Sequence, residues 1–193
     1  MPSSVCVFCG SHYGADPVHR RVAAQLGDTL GGAGLRVIYG GGHVGLMGAV
    51  ADAAMAAGGE VIGVIPSRLL EREVGHRAIT ELITTPDMFE RKRQMIDRAD
   101  AFVVLPGGLG TLDELLDVMT LRQLGYHDKP IVVVNLGGYW DPFIALVDQV
   151  VAHKFALPSA RTLYRVVDTV EQVLPALGIA QPASTPLRVV EGG

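Results

Sequence analysis

Short apolar runs alternate with stretches of helical periodicity along almost the whole chain. Val5–Phe8, Leu35–Tyr39, Val61–Ile65, Ala101–Leu105 and Ile131–Asn135 are continuous and largely apolar, the signature of strands buried on both faces. Ile79–Thr85 is a weaker strand pattern, and Arg165–Val167 is short and edge-like. Between them, helical spacing covers Val18–Leu30, Leu46–Ala57, Phe89–Ala99, Leu112–Leu124, Pro142–His153 and Val170–Leu177. Strand followed by helix, repeated, predicts an α/β fold with a doubly wound parallel sheet in a single domain over residues 1–180. The tail over 181–193 carries no pattern and is expected to be loose. Right-handed crossovers then gather every strand-to-helix loop at one edge of the sheet, where open α/β sheets bind ligands.

Composition narrows the classes without choosing among them. With 193 residues, 49% hydrophobic and 19% charged, the chain can bury a proper core. A net charge of −4 argues against a nucleic-acid surface, which carries a basic stripe. No apolar stretch reaches the roughly 18 residues of a membrane span, and the N-terminus leads straight into a strand pattern, so a cytoplasmic protein is expected. Cys6-Val-Phe-Cys9 is formally CxxC, but Cys6 lies inside a strand pattern whereas a redox pair opens a helix. The six histidines show no local metal spacing, so no metal is expected. Serine-hydrolase elbows and P-loops are also missing from the sequence.

Three of the predicted loops are glycine-rich: Cys9-Gly-Ser-His-Tyr-Gly14, Gly40-Gly-Gly-His-Val-Gly45 and Gly107-Gly-Leu-Gly110. The second and third read as a facing pair of phosphate cradles, because bare amides and a helix dipole together favour an anion. Gly41, Gly42 and Gly45 are the contact candidates in the second loop, and Ser11 in the first. The second loop also has three other readings. As Gly40-x-Gly42-x-x-Gly45 it matches a dinucleotide fingerprint, although it follows the second strand and Glu60 begins the next strand instead of ending it. The same glycines also suit a tight turn with close helix packing, or contact with a mononucleotide.

Pro106-Gly-Gly-Leu-Gly-Thr-Leu-Asp-Glu114 is the most informative stretch. Thr111-x-x-Glu114 reads on its own as a capping box that needs no ligand. Three exposed glycines are more than a cap requires, so a phosphate loop with Glu114 as a dipole-favoured anion in the first helical turn competes with that reading. Arg91, Lys92 and Arg93 form a basic cluster: either a solvated face or, at Arg91, a planar fork for a phosphate or ribose. Glu73, in the connection after the third strand, is a candidate for sugar hydroxyls. Leu46, Met47 and Met88 are candidates for an apolar slot, or simply core.

Gly40-Gly-Gly-x-x-Gly-Leu-Met-Gly48, Met88-x-x-Arg-Lys92 and Pro106-Gly-Gly-x-Gly-Thr-x-x-Glu114 together resemble the LONELY GUY family, cytokinin riboside 5′-monophosphate phosphoribohydrolases long labelled lysine decarboxylases. The resemblance runs from Val5 to Leu177. It implies a Rossmann-like fold and a homodimer that needs no cofactor. The activity it implies is N-glycosidase: an N6-modified AMP is hydrolysed to free base and ribose 5-phosphate. Carried over by position, Arg91 and Glu114 match the catalytic pair, Gly107, Gly108, Gly110 and Thr111 the phosphate loop, and Glu73, Arg91, Lys92 and Thr120 substrate contacts. His12 departs from the pattern, since many relatives have serine there. General AMP nucleosidase activity and a non-catalytic nucleotide-binding domain stay open alternatives. Nothing resembles a pyridoxal phosphate lysine site.

Overall fold

The computed structural model describes residues 2–70 and 75–179; Glu73 and the tail expectation for 181–193 lie outside them. Seven strands form one sheet in the order β4-β3-β2-β1-β5-β6-β7, every neighbouring pair parallel. They are β1 Ser4–Phe8, β2 Arg36–Tyr39, β3 Val61–Pro66, β4 Glu81–Thr85, β5 Ala101–Val104, β6 Ile131–Val134 and β7 Arg165–Val167. The helices are α1 Val18–Gly32, α2 Gly45–Ala56, α3 Ser67–Leu70, α4 Met88–Arg98, α5 Leu109–Gln123, α6 Asp141–Ala152 and α7 Val173–Ala176, with 3₁₀ turns at Leu136–Gly138, Pro158–Thr162 and Val170–Gln172.

The doubly wound expectation holds, and strand β1 shows why. Val5 and Val7 belong to a core layer with Leu26 and Leu30 of α1, Val50 and Ala54 of α2, and Leu174 of α7. Cys6 and Phe8 alternate to the other side, packing with Met95 of α4, Leu115 and Val118 of α5, and Phe143 of α6. A period of two with both faces apolar requires helices on both sides. The chain winds outward from β1 through β2, β3 and β4, then restarts on its other flank at β5. The carboxyl ends of β1 and β5 therefore flank the switch point, where ligands of such sheets bind.

Two local details correct the sequence reading. Helix α5 begins at Leu109 with Gly108 as N-cap and no side-chain cap, three residues before the Leu112 expected. The capping-box reading of Thr111 and Glu114 therefore falls, and Glu114 sits in the second turn, beyond the closest reach of the helix dipole. The side-chain cap in this region is on α4, where Asp87 accepts from the Glu90 amide at 2.8 Å. Arg165–Val167 is a true edge strand, as its short polar pattern implied.

Candidate active site

Loops from three strands and one helix converge at the switch point. Gly10 N–H donates to Pro106 O at 3.1 Å, tying the β1 loop to the β5 loop. A Cβ on Gly107 would collide with Thr111 Oγ1 and lie 2.9 Å from Gly10 N, so only glycine allows these loops to touch. Gly108 and Gly110 are different: a Cβ there would meet nothing within 4 Å. The protein's own packing does not require glycine at these two positions, and both line a cavity of about 320 Å³.

That cavity also holds Ser11, His12, Gly40, Met47, Arg91, Thr111 and Glu114. Arg91 and Glu114 are buried, at 6% and 9% exposure, an environment that charged groups occupy only when paired or hydrogen-bonded. Helix α4 carries Arg91 on its inner face. Nε donates to Val64 O at 3.1 Å and Nη2 to Gly40 O at 3.2 Å, while Nη2 lies 3.9 Å from Glu114 Oε1. Two backbone carbonyls fix the guanidinium, and its charge faces the carboxylate across the cavity wall. Met88 Sδ, 3.8 Å from Arg91 Nη1, is packing for that arginine.

The adjoining cavity, about 260 Å³, shares Ser11, His12 and Gly108 and adds Tyr13, His19, Leu46, Gly107 and Tyr139. The Tyr139 hydroxyl donates to Gly107 O at 2.6 Å. Sequence reasoning missed Tyr139. The available signal was Gly137-Gly138, both with positive φ (58° and 79°), in the loop after β6 at this same sheet edge.

The second glycine loop is closed by the protein's own backbone. At the start of α2 the amides of Leu46 and Met47 both donate to Gly10 O, at 3.0 and 3.4 Å. Gly45 has φ +72° and a Cβ there would strike the Ser11 backbone. Gly41 packs against Ile65 and Leu82, and Gly42 forms a β-bridge to Gly75. Close packing, one of the readings open for this loop, accounts for all three, and none lines the two cavities.

Lys92 and Thr120 are also placed apart from Arg91. They line a different cavity with Phe89, Asp117 and Tyr126 on the outer side of α4 and α5. Lys92 Nζ lies 3.0 Å from Asp113 and 2.6 Å from Asp117. Against the partial burial that lowers it, these carboxylates push the Lys92 ammonium above its ordinary value.

Cys6 and Cys9 are buried free thiols. Burial first, and the nearby Glu114 charge second, hold both well above the ordinary thiol range, which disfavours the thiolate that redox or nucleophilic chemistry uses. Among the described residues no helix is long and apolar enough to cross a membrane.

Comparison with known proteins gives the family. A family model described as "Possible lysine decarboxylase" matches residues 47–177. The probable cytokinin riboside 5′-monophosphate phosphoribohydrolase LOGL2 of Oryza sativa subsp. japonica is 42% identical over 90% of this chain and 71% of its own. The cytokinin riboside 5′-monophosphate phosphoribohydrolase LOG7 of Arabidopsis thaliana is 45% identical over 82% of this chain and 73% of its own. Among solved structures, the molybdenum cofactor binding protein of Rippkaea orientalis superposes with a TM-score of 0.70 at 21% identity, covering 92% of this chain and 96% of that one. The Moco carrier protein of Chlamydomonas reinhardtii gives 0.69 at 20%, over 92% and 96%. At such identities the likeness is one of fold. The relatives at 40–47% identity decide the family, and the chain belongs to the LONELY GUY family of cytokinin riboside 5′-monophosphate phosphoribohydrolases.

Proposed function

We propose that this chain hydrolyses the N-glycosidic bond of an N6-modified AMP, releasing the free base and ribose 5-phosphate. The observation that carries the reading is the buried Arg91–Glu114 pair opening on a glycine loop whose Gly108 and Gly110 face open space. The amides at the start of α5 take the 5′-phosphate, with the helix dipole adding to them. Holding the phosphate fixes the ribose beside Glu114, so that remote binding energy orients the reacting carbon.

As the bond from C1′ to the base nitrogen breaks, positive charge develops on the ribose, and the Glu114 carboxylate stabilises it. Water then adds to C1′ and gives a proton to Glu114, and that proton passes on through solvent to the departing base, leaving base–H, ribose 5-phosphate and Glu114 a carboxylate again. Arg91 keeps the buried carboxylate compensated and in place. Aromatic and apolar surface at Tyr13, His19, Leu46 and Tyr139 suits a purine ring.

The same reading makes the protein a homodimer. Support comes from exposed apolar side chains on α4 and just after α5: Phe89, Leu124 and Tyr126. It also makes the protein cytoplasmic, in keeping with two unpaired thiols.

The test is to incubate the protein with isopentenyladenosine monophosphate and with AMP and measure free base, beside Glu114→Ala. Faster release from the N6-modified substrate is expected. Equal rates would make it a general AMP nucleosidase, and binding without release a carrier. Turnover surviving in Glu114→Ala would overturn the mechanism.

A further inference from the structure

Three side chains outside the cleft meet on the other side of the second glycine loop. His43 ends that loop, just before the α2 N-cap Val44. Asp52 lies in the second turn of α2, with its side chain 61% exposed. His76 follows the Gly42–Gly75 bridge, is 2% exposed, and is fixed by its own amide donating to Gly41 O at 2.9 Å. His76 Nε2 is 2.8 Å from Asp52 Oδ1. The rings of His43 and His76 stand 4.2 Å apart and nearly perpendicular. One donor atom from each of the three lies within 4.8 Å of the others.

We propose that His43, Asp52 and His76 bind one divalent transition-metal ion, with zinc the ion their donors suit best. Two imidazoles and a carboxylate form a borderline N/O donor set, and three protein ligands with water in the fourth position is a regular zinc arrangement. Zinc–ligand bonds of about 2.0–2.1 Å require the donors to close in by roughly an ångström. The two solvent-exposed side chains, His43 and Asp52, can make that movement by rotation, while buried His76 stays where the backbone holds it.

A hydrogen bond between His76 and Asp52 accounts for that pair alone; it gives no reason for a second histidine to stack on the first with a nitrogen in range. The Ala78 amide donates to His76 Nδ1 at 3.3 Å. Ligation through Nε2 puts the proton on Nδ1 and turns that exposed amide to water, a small exchange. Local histidine spacing carries no sign of such a site, because its ligands are 9 and 24 residues apart and meet through the pairing of two loops.

Metal here would clamp the β3–β4 connection to the loop whose Gly40 carbonyl anchors Arg91. It would be a structural brace beside the active site, and its binding stands independently of the proposed hydrolysis.

The test uses the tag-free full chain, freed of metal with EDTA and titrated with Co²⁺ and Zn²⁺ in the absence of substrate. One ion per chain is expected, with visible cobalt absorption bands that zinc abolishes and a melting temperature that rises with zinc. His43→Ala and Asp52→Asn should each weaken zinc binding at least tenfold, while His153→Ala, at the C-cap of helix α6, should bind as the parent does. The exposed His43 makes its alanine variant a safe one for folding, and unchanged melting without metal confirms that. Failure to bind a stoichiometric ion, or equal affinity in the parent and His43→Ala, would overturn the site.

Discussion

At the start of α2 the amides of Leu46 and Met47 donate to Gly10 O, and Gly45 is needed because its φ is positive and the Ser11 backbone lies against it. At the start of α5 there is no side-chain cap, and Gly108 and Gly110 have nothing within 4 Å of where a Cβ would sit. Both are glycine-rich loops opening helices at the same sheet edge. One is closed by the protein itself and fastens two loops together. The other is left open by the described residues. A glycine that packing explains is weak evidence of function, and a glycine that packing does not explain is stronger evidence.

Arg91 joins the two regions, since Nη2 reaches Gly40 O on one side and Glu114 on the other. Arg91→Met should therefore have the largest effect. Removing one partner of a buried ion pair costs about 3–5 kcal/mol, and chemical denaturation should show a loss on this scale. Turnover per folded molecule should also fall by about a hundredfold or more. Adding Glu114→Gln should restore part of the stability, because the buried negative charge is gone, and none of the activity. A double variant no more stable than Arg91→Met would mean that the carbonyl contacts, and not the charge pair, set the cost.

Gly45→Ala probes the closed helix start. An L-residue forced to φ +72° against backbone should cost about 2 kcal/mol. The Michaelis constant of the remaining folded enzyme should stay within about threefold, a change below 1 kcal/mol. Gly110→Ala probes the open one. It replaces glycine within α5 at negative φ, so stability should hold or rise by about 0.5 kcal/mol, while the methyl obstructs the phosphate and raises the Michaelis constant about tenfold, near 1.4 kcal/mol. If Gly110→Ala leaves the Michaelis constant alone, the contrast between the two helix starts has been misread.

Strand and helix positions were legible in the sequence because each is written locally, as β-branched runs and 3.6-residue spacing. Arg91 and Glu114 were legible through their motifs. The plugging of α2 by Gly10 O was not, since it depends on two loops 36 residues apart meeting across the switch point. The placement of Lys92 was equally hidden. It neighbours Arg91 in sequence, but a turn of 100° per residue swings it away from the cavity to the flank of α4, onto Asp113 and Asp117 of α5. Tyr139 escaped because a lone aromatic in a loop carries no period.

The smallest predicted effect lies at the far end of β5, the strand that delivers the open loop. Asp100 Oδ2 accepts from the Ser3 and Ser4 amides at 2.8 and 3.0 Å and from both hydroxyls. These contacts, the Ser3 amide foremost, lower its carboxyl from 3.8 to about 2. A carboxylate whose folded value is depressed adds stability above its unfolded value and loses it as pH falls through the folded one. The Asp100 contribution should therefore be complete above about pH 4 and fade toward pH 2. Asp100 is solvent-exposed, so screening reduces its worth to about 1 kcal/mol or less. Asp100→Asn should melt slightly below the parent at neutral pH, with the gap closing by pH 2 and turnover at pH 7 unchanged. A gap that persists in acid would show that the hydrogen-bond geometry alone, and not the charge, pins this end of the strand. Lost turnover would show that the open helix start depends on anchoring at the opposite edge of the sheet.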